Sequence, residues 1–169
     1  MRFLIQKVKK ANVKVDNIEV GKINYGLLVM IGIREGDTEA LADYMINKLL
    51  NLRIFADKAA KMNLSLRDVN GELLIISQFT LYANCDKGNR PSFMEAAKPE
   101  EAEKIYNYII KKIKNEIQKV ETGIFGEYMQ VELENDGPLT ILLEKQNKWF
   151  KKWVIRFKSL NGNTKICIS

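Results

Sequence analysis

The chain has 169 residues, of which 46% are hydrophobic and none is histidine, and its formal net charge is +6. The absence of imidazole excludes a Ser-His-Asp triad, a Cys-His dyad and a His-ligated zinc, and the two cysteines, Cys85 and Cys167, indicate neither a disulfide framework nor a metal site. We therefore expect one compact domain that works without a metal or another cofactor.

The sequence also bears on where the protein works. No apolar run approaches the ~20 residues that a membrane-spanning helix needs. The first residues reach charged side chains too early to form the apolar core of a secretory signal. We expect a cytoplasmic protein that does not associate with membranes.

Strand patterns dominate the first part of the chain. Residues 2–9 alternate in polarity, and residues 12–20 predict a hairpin that turns at Asp16-Asn17. Residues 26–33 are apolar without alternation, which predicts a strand buried on both faces near the centre of a sheet. Asp37 and Thr38 then offer an N-cap to a helix. Its apolar stripe consists of Leu41, Tyr44, Met45 and Leu49, with Lys48 at its edge.

The second part continues the mixture of strands and helices. Residues 73–82 predict an apolar strand, and Pro99 begins a longer helix. The buried stripe of that helix consists of Ala102, Ile105, Ile109, Ile113 and Ile117. Residues 129–134 alternate, and we expect the chain to turn through Asn-Asp-Gly-Pro and return as residues 139–143. The element order predicts an α+β domain with a mostly antiparallel sheet, a barrel-like core and two main helices.

Residues 145–169 differ in kind from residues 1–144. They hold seven of the 27 basic residues and none of the 21 acidic ones, which leaves the body with a net charge of −1. The body alone therefore binds RNA only if a local basic patch forms on it.

The aromatic residues of this extension recur at helical spacing and predict a basic amphipathic helix. These residues are Trp149, Phe150, Trp153 and Phe157. Three interpretations stay open: an accessory helix that packs on the body or on a dimer partner, a segment that adheres to tRNA or to a membrane surface, and a poorly ordered extension.

Two motifs at the ends of apolar runs carry the functional signal. The first is Ser77-Gln78-Phe79-Thr80-Leu81-Tyr82-Ala83 and the second is Asn135-Asp136-Gly137-Pro138-Leu139-Thr140. Together they resemble the paired signatures of the D-aminoacyl-tRNA deacylase family. The resemblance runs from Met1 to about Glu144 and includes residues 51–55, 61–65, 90–93 and 122–123.

The first motif suggests a way to hydrolyse an ester without histidine. The hydroxyls of Ser77 and Thr80 are weak nucleophiles because no base adjoins them in sequence. Backbone N–H groups around Phe79 and Thr80 offer an oxyanion hole instead, with Gln78 positioning the substrate or a water. The alternative is that these polar groups only cap the end of a buried strand.

The resemblance implies more than the residues show by themselves. It implies a homodimer that hydrolyses D-aminoacyl-tRNA, helped by the 2′-hydroxyl of the terminal adenosine, and it makes Thr80 a candidate nucleophile. We favour an orienting role for Thr80, because no base activates its hydroxyl. It also implies that the Gly137–Pro138 bond is cis and enters the active site of the other subunit, where main-chain oxygens reject L-amino acids and accept glycine. Without the resemblance, an ordinary trans-proline turn is the expected structure.

Three further residues are candidates for substrate binding. Met129 fits either the core or the pocket, and Phe125 either shapes the pocket or fills the sheet interface. Lys7 stands where many members of the resembled family have arginine, which is thought to hold the Gly-Pro loop. Lysine keeps the charge and loses the planar fork, so Lys7 is either a weaker loop anchor or a solvated strand residue.

Two rival functions remain from the sequence. One is a related deacylase that tolerates L-alanine through a trans Gly-Pro, against which the Ser-Gln-Phe-Thr-Leu sequence argues. The other is a non-enzymatic RNA-binding module, which the basic extension favours. We expect residues 1–144 to form the deacylase domain and residues 145–169 to form a basic aromatic C-terminal extension.

Overall fold

The computed structural model describes residues 1–146, 155–158 and 164–167. Its strands are β1 (Arg2–Val15), β2 (Ile18–Ile23), β3 (Gly26–Gly32), β4 (Phe55–Ala56), β5 (Met62–Leu64), β6 (Glu72–Ser77), β7 (Val120–Thr122), β8 (Gln130–Glu144), β9 (Ile155–Lys158) and β10 (Thr164–Cys167). Its helices are α1 (Glu39–Leu50), α2 (Pro99–Lys114) and a short 3₁₀ helix, Phe79–Tyr82. Among these described residues, no helix is long and apolar enough to cross a membrane.

Six strands form one sheet that nearly closes on itself. The order is β2-β1-β3-β6-β7, and β8 pairs with β1. All pairings of β1 are antiparallel, whereas β6 is parallel to β3 and to β7. The ends of this order meet, because a Cβ built on Gly21 of β2 would lie 2.9 Å from the carbonyl oxygen of Thr122 in β7. The predicted α+β fold, with a barrel-like sheet and two main helices, is confirmed.

The sheet separates two apolar clusters. Leu27, Val29 and Ile31 of β3 face a large cluster that includes the buried sides of α1 and α2. Leu28 faces a smaller cluster inside the barrel. The prediction of a central strand buried on both faces is thus confirmed, and the large cluster fixes the position of the helices against β3 and β6.

Both helices begin where the sequence predicts them. The hydroxyl of Thr38 accepts a hydrogen bond from the backbone N–H of Leu41 at 3.3 Å, as an N-cap does. Tyr44 differs from the predicted buried stripe because 42% of its surface is exposed. Pro99 begins α2, where its missing N–H costs no helical hydrogen bond.

The predicted strand through Tyr82 is wrong in its second half. β6 ends at Ser77, and the chain then turns into the 3₁₀ helix. The backbone N–H of Gln78 makes the last bond to β3, donating to the carbonyl oxygen of Ile31 at 2.8 Å. Since β3 ends at Gly32, the residues beyond Gln78 have no ladder to continue, and they close a turn of their own.

The predicted hairpin at Asn-Asp-Gly-Pro is also wrong. The chain does not return after Pro138, because both halves of β8 run antiparallel to the same strand, β1. Gln6 pairs with Thr140 and Val8 pairs with Asn135, so residues 136–139 stand opposite Lys7 alone. The motif is therefore a bulge of four residues in one long strand, a feature that uses the same Gly and Pro residues as a turn.

The predicted helix in the extension is wrong for its described part. Phe157 lies in β9, which pairs antiparallel with β10. The alternation of Ile155 and Phe157 with Arg156 and Lys158 fits a strand and explains the difference. Trp149, Phe150 and Trp153 lie outside the described residues. The boundary between residues 144 and 145 stays a prediction.

Candidate active site

A cavity of about 650 Å³ opens at the carboxyl ends of β3 and β6. Sites outside the carboxyl ends of parallel strands are a general feature of mixed sheets, because the strands end together there and their loops diverge. Its walls come from the strand ends, the start of α2 and the loop before β8. The lining residues are Ile31, Ile33, Ile76, Ser77, Gln78, Phe79, Thr80, Phe93, Ala96, Ala97, Pro99, Ala102, Phe125, Gly126, Glu127, Tyr128, Met129 and Val131.

The polar edge of the cavity is the segment from Ser77 to Thr80. The side-chain amide of Gln78 donates a hydrogen bond to the hydroxyl oxygen of Thr80, which leaves the hydroxyl proton of Thr80 free to donate. Ser77 is half-buried and ends β6, and Gln78 is the first residue after that strand. These side chains are close enough to act on one bound group.

Two backbone donors at this edge are free. The first hydrogen bond of the 3₁₀ helix runs from the N–H of Leu81 to the carbonyl oxygen of Gln78 at 3.3 Å. The N–H groups of Phe79 and Thr80 precede that bond, and within the described part of the chain neither has a hydrogen-bond acceptor. They are adjacent donors at the mouth of a cavity, the arrangement that stabilises a developing oxyanion.

Aromatic contacts shape the apolar walls. The rings of Phe79 and Phe93 meet edge to face with centroids 5.0 Å apart. The ring of Phe125 packs against Tyr106 at 5.6 Å, and the hydroxyl of Tyr106 donates to the carbonyl oxygen of Ile75 at 2.9 Å. Burial raises the pKa of Tyr106, which therefore stays neutral and keeps this bond. Phe125 thus both lines the cavity and joins it to α2.

Met129 also lines the cavity and lies against Gly123. A Cβ built on Gly123 would lie 2.3 Å from the sulfur atom of Met129, so only glycine leaves room for this packing. Met129 also packs on the cluster inside the barrel. Both interpretations of Met129 apply, because it lines the cavity and covers the core.

Phe93, Glu127 and Tyr128 are among the lining residues that sequence reasoning missed. Phe93 belongs to the Arg90-Pro91-Ser92-Phe93 segment, which carried a motif signal without an assigned role. Tyr128 is 84% exposed and precedes the apolar Met129 in the chain. Strand periodicity alone does not identify an exposed tyrosine at this position as a cavity residue. Glu127 gives the cavity rim an acidic side chain.

The remaining predicted residues, Lys7, Gly137 and Pro138, form a second group on the β8 bulge. Lys7 is not a solvated strand residue, because its ammonium nitrogen lies 3.0 Å from the carboxylate of Asp136 and its side chain is 13% exposed. The Gly137–Pro138 bond is cis, the conformation that the resemblance implies. None of the three residues lines the cavity.

Asn135 holds the base of the bulge. Its side-chain amide donates to the side-chain oxygen of Gln6 at 2.9 Å and accepts a bond from the backbone N–H of Leu139 at 2.8 Å. Gly137 has a φ of +131°, a conformation that L side chains rarely adopt. The bulge is thus closed by polar contacts to β1, while its tip consists of main chain.

Sequence comparison identifies relatives over most of the chain. A family model described as D-Tyr-tRNA(Tyr) deacylase matches residues 4–144. A protein of Thermosipho melanesiensis named D-aminoacyl-tRNA deacylase is 54% identical over 147 residues, which cover 86% of this chain and 98% of that protein. A protein of the same name from Clostridium acetobutylicum is 53% identical over 146 residues, with the same two coverages.

Structure comparison agrees on the architecture. A solved structure named c-Myc DNA Unwinding Element Binding Protein matches with a TM-score of 0.82 and 38% identity, over 87% of this chain and 100% of that one. A second, described as a probable eukaryotic D-amino acid tRNA deacylase, matches with a TM-score of 0.72 over 84% of this chain and 97% of that one. Its identity of 17% supports the fold alone.

Proposed function

The chain belongs to the D-Tyr-tRNA(Tyr) deacylase family, whose members are hydrolases, and we propose that it hydrolyses the ester of D-aminoacyl-tRNA to free tRNA and a D-amino acid. One observation carries this proposal: an apolar cavity with two adjacent free N–H groups, of Phe79 and Thr80, at its polar edge. The apolar walls suit an amino-acid side chain, and the donors suit the oxyanion of an ester under attack.

The proposed reaction needs no protein nucleophile. Water adds to the ester carbonyl carbon, and the negative oxygen of the intermediate accepts hydrogen bonds from the N–H groups of Phe79 and Thr80. The bond to the ribose oxygen then breaks, and that oxygen takes the proton lost by the water. The neighbouring 2′-hydroxyl of the terminal adenosine orients the water or relays this proton, since it is held beside the ester.

The side chains around these donors have supporting roles. The hydroxyl of Thr80, which accepts from Gln78, orients the water or the adenosine. Ser77 and Gln78 border the adenosine side of the cavity, while Phe125 and Met129 contact the amino-acid side. We expect Thr80 to assist rather than to attack, because no histidine in the chain can act as its base.

The chiral screen is proposed to come from a second copy of the chain. Met129 lines the cavity and Gly137 lies eight residues farther along nearly continuous β structure, which separates them by roughly 25 Å. The bulge therefore serves a cavity only if it belongs to another subunit of a homodimer. There, carbonyl oxygens of Gly137 and Pro138 would crowd an L side chain and accept a bond from the α-amino group of a D-amino acid.

Several finer expectations accompany this proposal. Glycine has no side chain for the screen to reject, so glycyl-tRNA, including glycine mischarged on alanine tRNA, should also be hydrolysed. Lys7 should hold the screen through Asp136. We expect the protein to act in the cytoplasm, where aminoacyl-tRNA is used.

Two alternatives are testable beside this proposal. A deacylase that tolerates L-alanine would hydrolyse L-alanyl-tRNA readily. A nucleic-acid-binding module without activity is suggested by the basic extension and by the name of the structural relative that is 38% identical. Removing residues 145–169 should leave turnover intact in an enzyme, whereas a binding module should lose its RNA affinity.

The decisive assay compares matched D- and L-tyrosyl-tRNA. We expect rapid release of D-tyrosine and release of L-tyrosine close to the uncatalysed rate. Equal hydrolysis of the two substrates would contradict the chiral screen, and stability of both would contradict the enzymatic proposal.

A further inference from the structure

A second cavity, of about 350 Å³, adjoins the first along the chain. It is lined by Asn84, Asp86, Lys87, Ser92, Met94 and Glu95. Every residue from Ala83 to Glu95 is exposed, and Met94 keeps 89% of its surface exposed. An apolar side chain left in solvent within a polar depression is a feature of ligand-binding surfaces rather than of folding.

One short stretch of chain separates the two cavities. Phe93 lines the first cavity, whereas Ser92 and Met94, its two neighbours, line the second. The stretch is anchored, because Asn84 and Ser92 exchange two backbone hydrogen bonds of 2.8 and 2.9 Å. If the last residue of a polymeric ligand occupies the first cavity, the residue before it therefore lies beside the second cavity.

The charges of the second cavity suit a nucleotide. Lys87 lines it, and Arg90 lies in the loop that the Asn84–Ser92 bonds close. Within the residues that the structure describes, neither cation has an ion-pair partner. The carboxylate of Glu95 is paired with Arg34 at 3.4 Å, which weakens its repulsion of a phosphate. The two cations are available to a phosphate group.

The free acceptor of the cavity favours cytosine over uracil. Asp86 lines it, and one oxygen of its carboxylate accepts a bond from the amide of Asn84 at 3.2 Å, leaving the other oxygen free. A carboxylate accepts from the N4 amino group of cytosine, whereas uracil presents an acceptor at that position. Met94 supplies an apolar contact for the face of a base.

We propose that this second cavity binds the cytidine that precedes the terminal adenosine of tRNA, with Lys87 and Arg90 on its phosphate and Asp86 on its amino group. The inference rests on the proposed function, which puts the terminal adenosine in the first cavity. It adds a nucleotide subsite to that site, so that the enzyme recognises the end of tRNA and not only the ester.

The test uses stable analogues in which an amide replaces the ester. D-tyrosine is attached to 3′-amino-3′-deoxyadenosine, alone or preceded by cytidine or by uridine, and binding to the full chain is measured by calorimetry. The cytidine analogue should bind about tenfold more tightly than the adenosine analogue and severalfold more tightly than the uridine analogue. The advantage over adenosine should shrink as salt is raised.

Two double variants make the test specific. Lys87→Ala/Arg90→Ala should remove most of the advantage of the cytidine analogue without changing binding of the adenosine analogue. The matched control is Lys58→Ala/Lys111→Ala, which removes two exposed charges without ion-pair partners among the described residues, one in the β4–β5 turn and one far along α2. This control should retain the advantage.

The outcomes separate the two proposals. Equal affinities of wild-type protein for the adenosine and cytidine analogues, or an equal loss in both double variants, would overturn the nucleotide subsite. In parallel, the corresponding D-tyrosyl esters are tested for hydrolysis. Stable esters together with tenfold tighter binding of the cytidine analogue would contradict the enzymatic proposal and leave the subsite standing.

Discussion

The cavity at the end of β6 and the bulge of β8 are built by different forces. The cavity is continuous with the large core, and its position follows from the packing of β3, β6 and α2. The bulge is fixed by polar contacts, namely those of Asn135 with Gln6 and Leu139 and that of Lys7 with Asp136. One region depends on the volumes of apolar side chains, and the other on a few hydrogen bonds and one ion pair.

This difference teaches which property each region controls. Packed walls place the donors of Phe79 and Thr80, so changes there should alter the rate of hydrolysis. The bulge lines no part of the cavity in its own chain, so changes there should mainly alter the choice between D- and L-substrates and leave kcat on D-substrates nearly intact. Substitutions confined to one region at a time can break or sharpen this division.

The largest effect is expected from the substrate rather than from the protein. Replacing the terminal adenosine by its 2′-deoxy form should lower the hydrolysis rate by about 10²-fold or more, because no histidine can replace the neighbouring hydroxyl. Thr80→Ala should lower it by less than about tenfold, since the backbone donors remain. Single-turnover rates measure both losses. A larger loss from Thr80→Ala, in a folded protein, than from the 2′-deoxy substrate would indicate a threonine nucleophile.

A packing change should damage the cavity next most strongly. In Gly123→Ala the added methyl would meet the sulfur atom of Met129 at 2.3 Å, so the wall must shift. We expect unfolding to become easier by about 1–3 kcal/mol and kcat/KM on D-tyrosyl-tRNA to fall about tenfold or more. Gly123→Ala/Met129→Ala should recover part of the activity, and a failure to recover any would place the damage outside this contact.

A charge change should affect the bulge alone. Lys7→Ala removes the ion pair with Asp136, so the Gly137–Pro138 tip should move more freely. Discrimination against L-tyrosyl-tRNA should fall severalfold to tenfold, with kcat on the D-substrate within about twofold of wild type. Lys9→Ala is the matched control, because Lys9 lies in the same strand and pairs with Glu134 at 3.4 Å while 62% exposed.

Substitution of the buried Tyr106, which packs against Phe125 of the cavity, should change the free energy of unfolding more than the rate of hydrolysis. Tyr106→Phe removes the bond to the carbonyl oxygen of Ile75 and should lower the free energy of unfolding by about 1 kcal/mol at neutral pH. Burial raises the pKa of Tyr106, so its contribution is full below about pH 10 and is lost as the pH rises above that value. Between pH 8 and pH 11, the free energy of unfolding should therefore fall less in the variant than in wild type. Denaturant unfolding at the two pH values tests this, and equal decreases in both proteins would contradict it.

The smallest effect is expected from chelation. The sequence has no histidine and no clustered cysteines to supply typical zinc ligands, so exhaustive treatment with a chelator should leave D-tyrosyl-tRNA hydrolysis unchanged. If chelation abolished activity and one divalent ion restored it to the free enzyme, the cavity and the bulge would not be sufficient for catalysis without a metal.

The sequence predicted the cavity better than the bulge, and the reason is physical. The unbroken apolar run of β3 and the periodic apolar stripe of α2 report burial directly, and both elements contribute walls of the cavity. Asn-Asp-Gly-Pro is compatible with a hairpin turn and with a bulge, since both need a glycine in an unusual conformation. Only the pairing of both halves of β8 with β1, far away in sequence, distinguishes them.

Loop residues and the extension were harder to predict from the sequence for a related reason. Phe93 and Tyr128 reach the cavity from irregular segments, where no periodicity reports which way a side chain faces. In the extension, Trp149, Phe150, Trp153 and Phe157 fit helical spacing, whereas residues 155–158 also alternate as a strand does. Short apolar patterns allow both, and the structure has a strand at Phe157.

The pairing of β1 with β8 has a consequence for how the protein is made. β1 is synthesised well before β8, and its longest ladder forms with that distant strand. Until residues 130–144 are synthesised, one edge of β1 has unpaired backbone groups, which is a template for association with other chains. Because this contact spans nearly the whole body, its closure should be slow, and destabilised variants should aggregate during synthesis before they lose activity as finished protein.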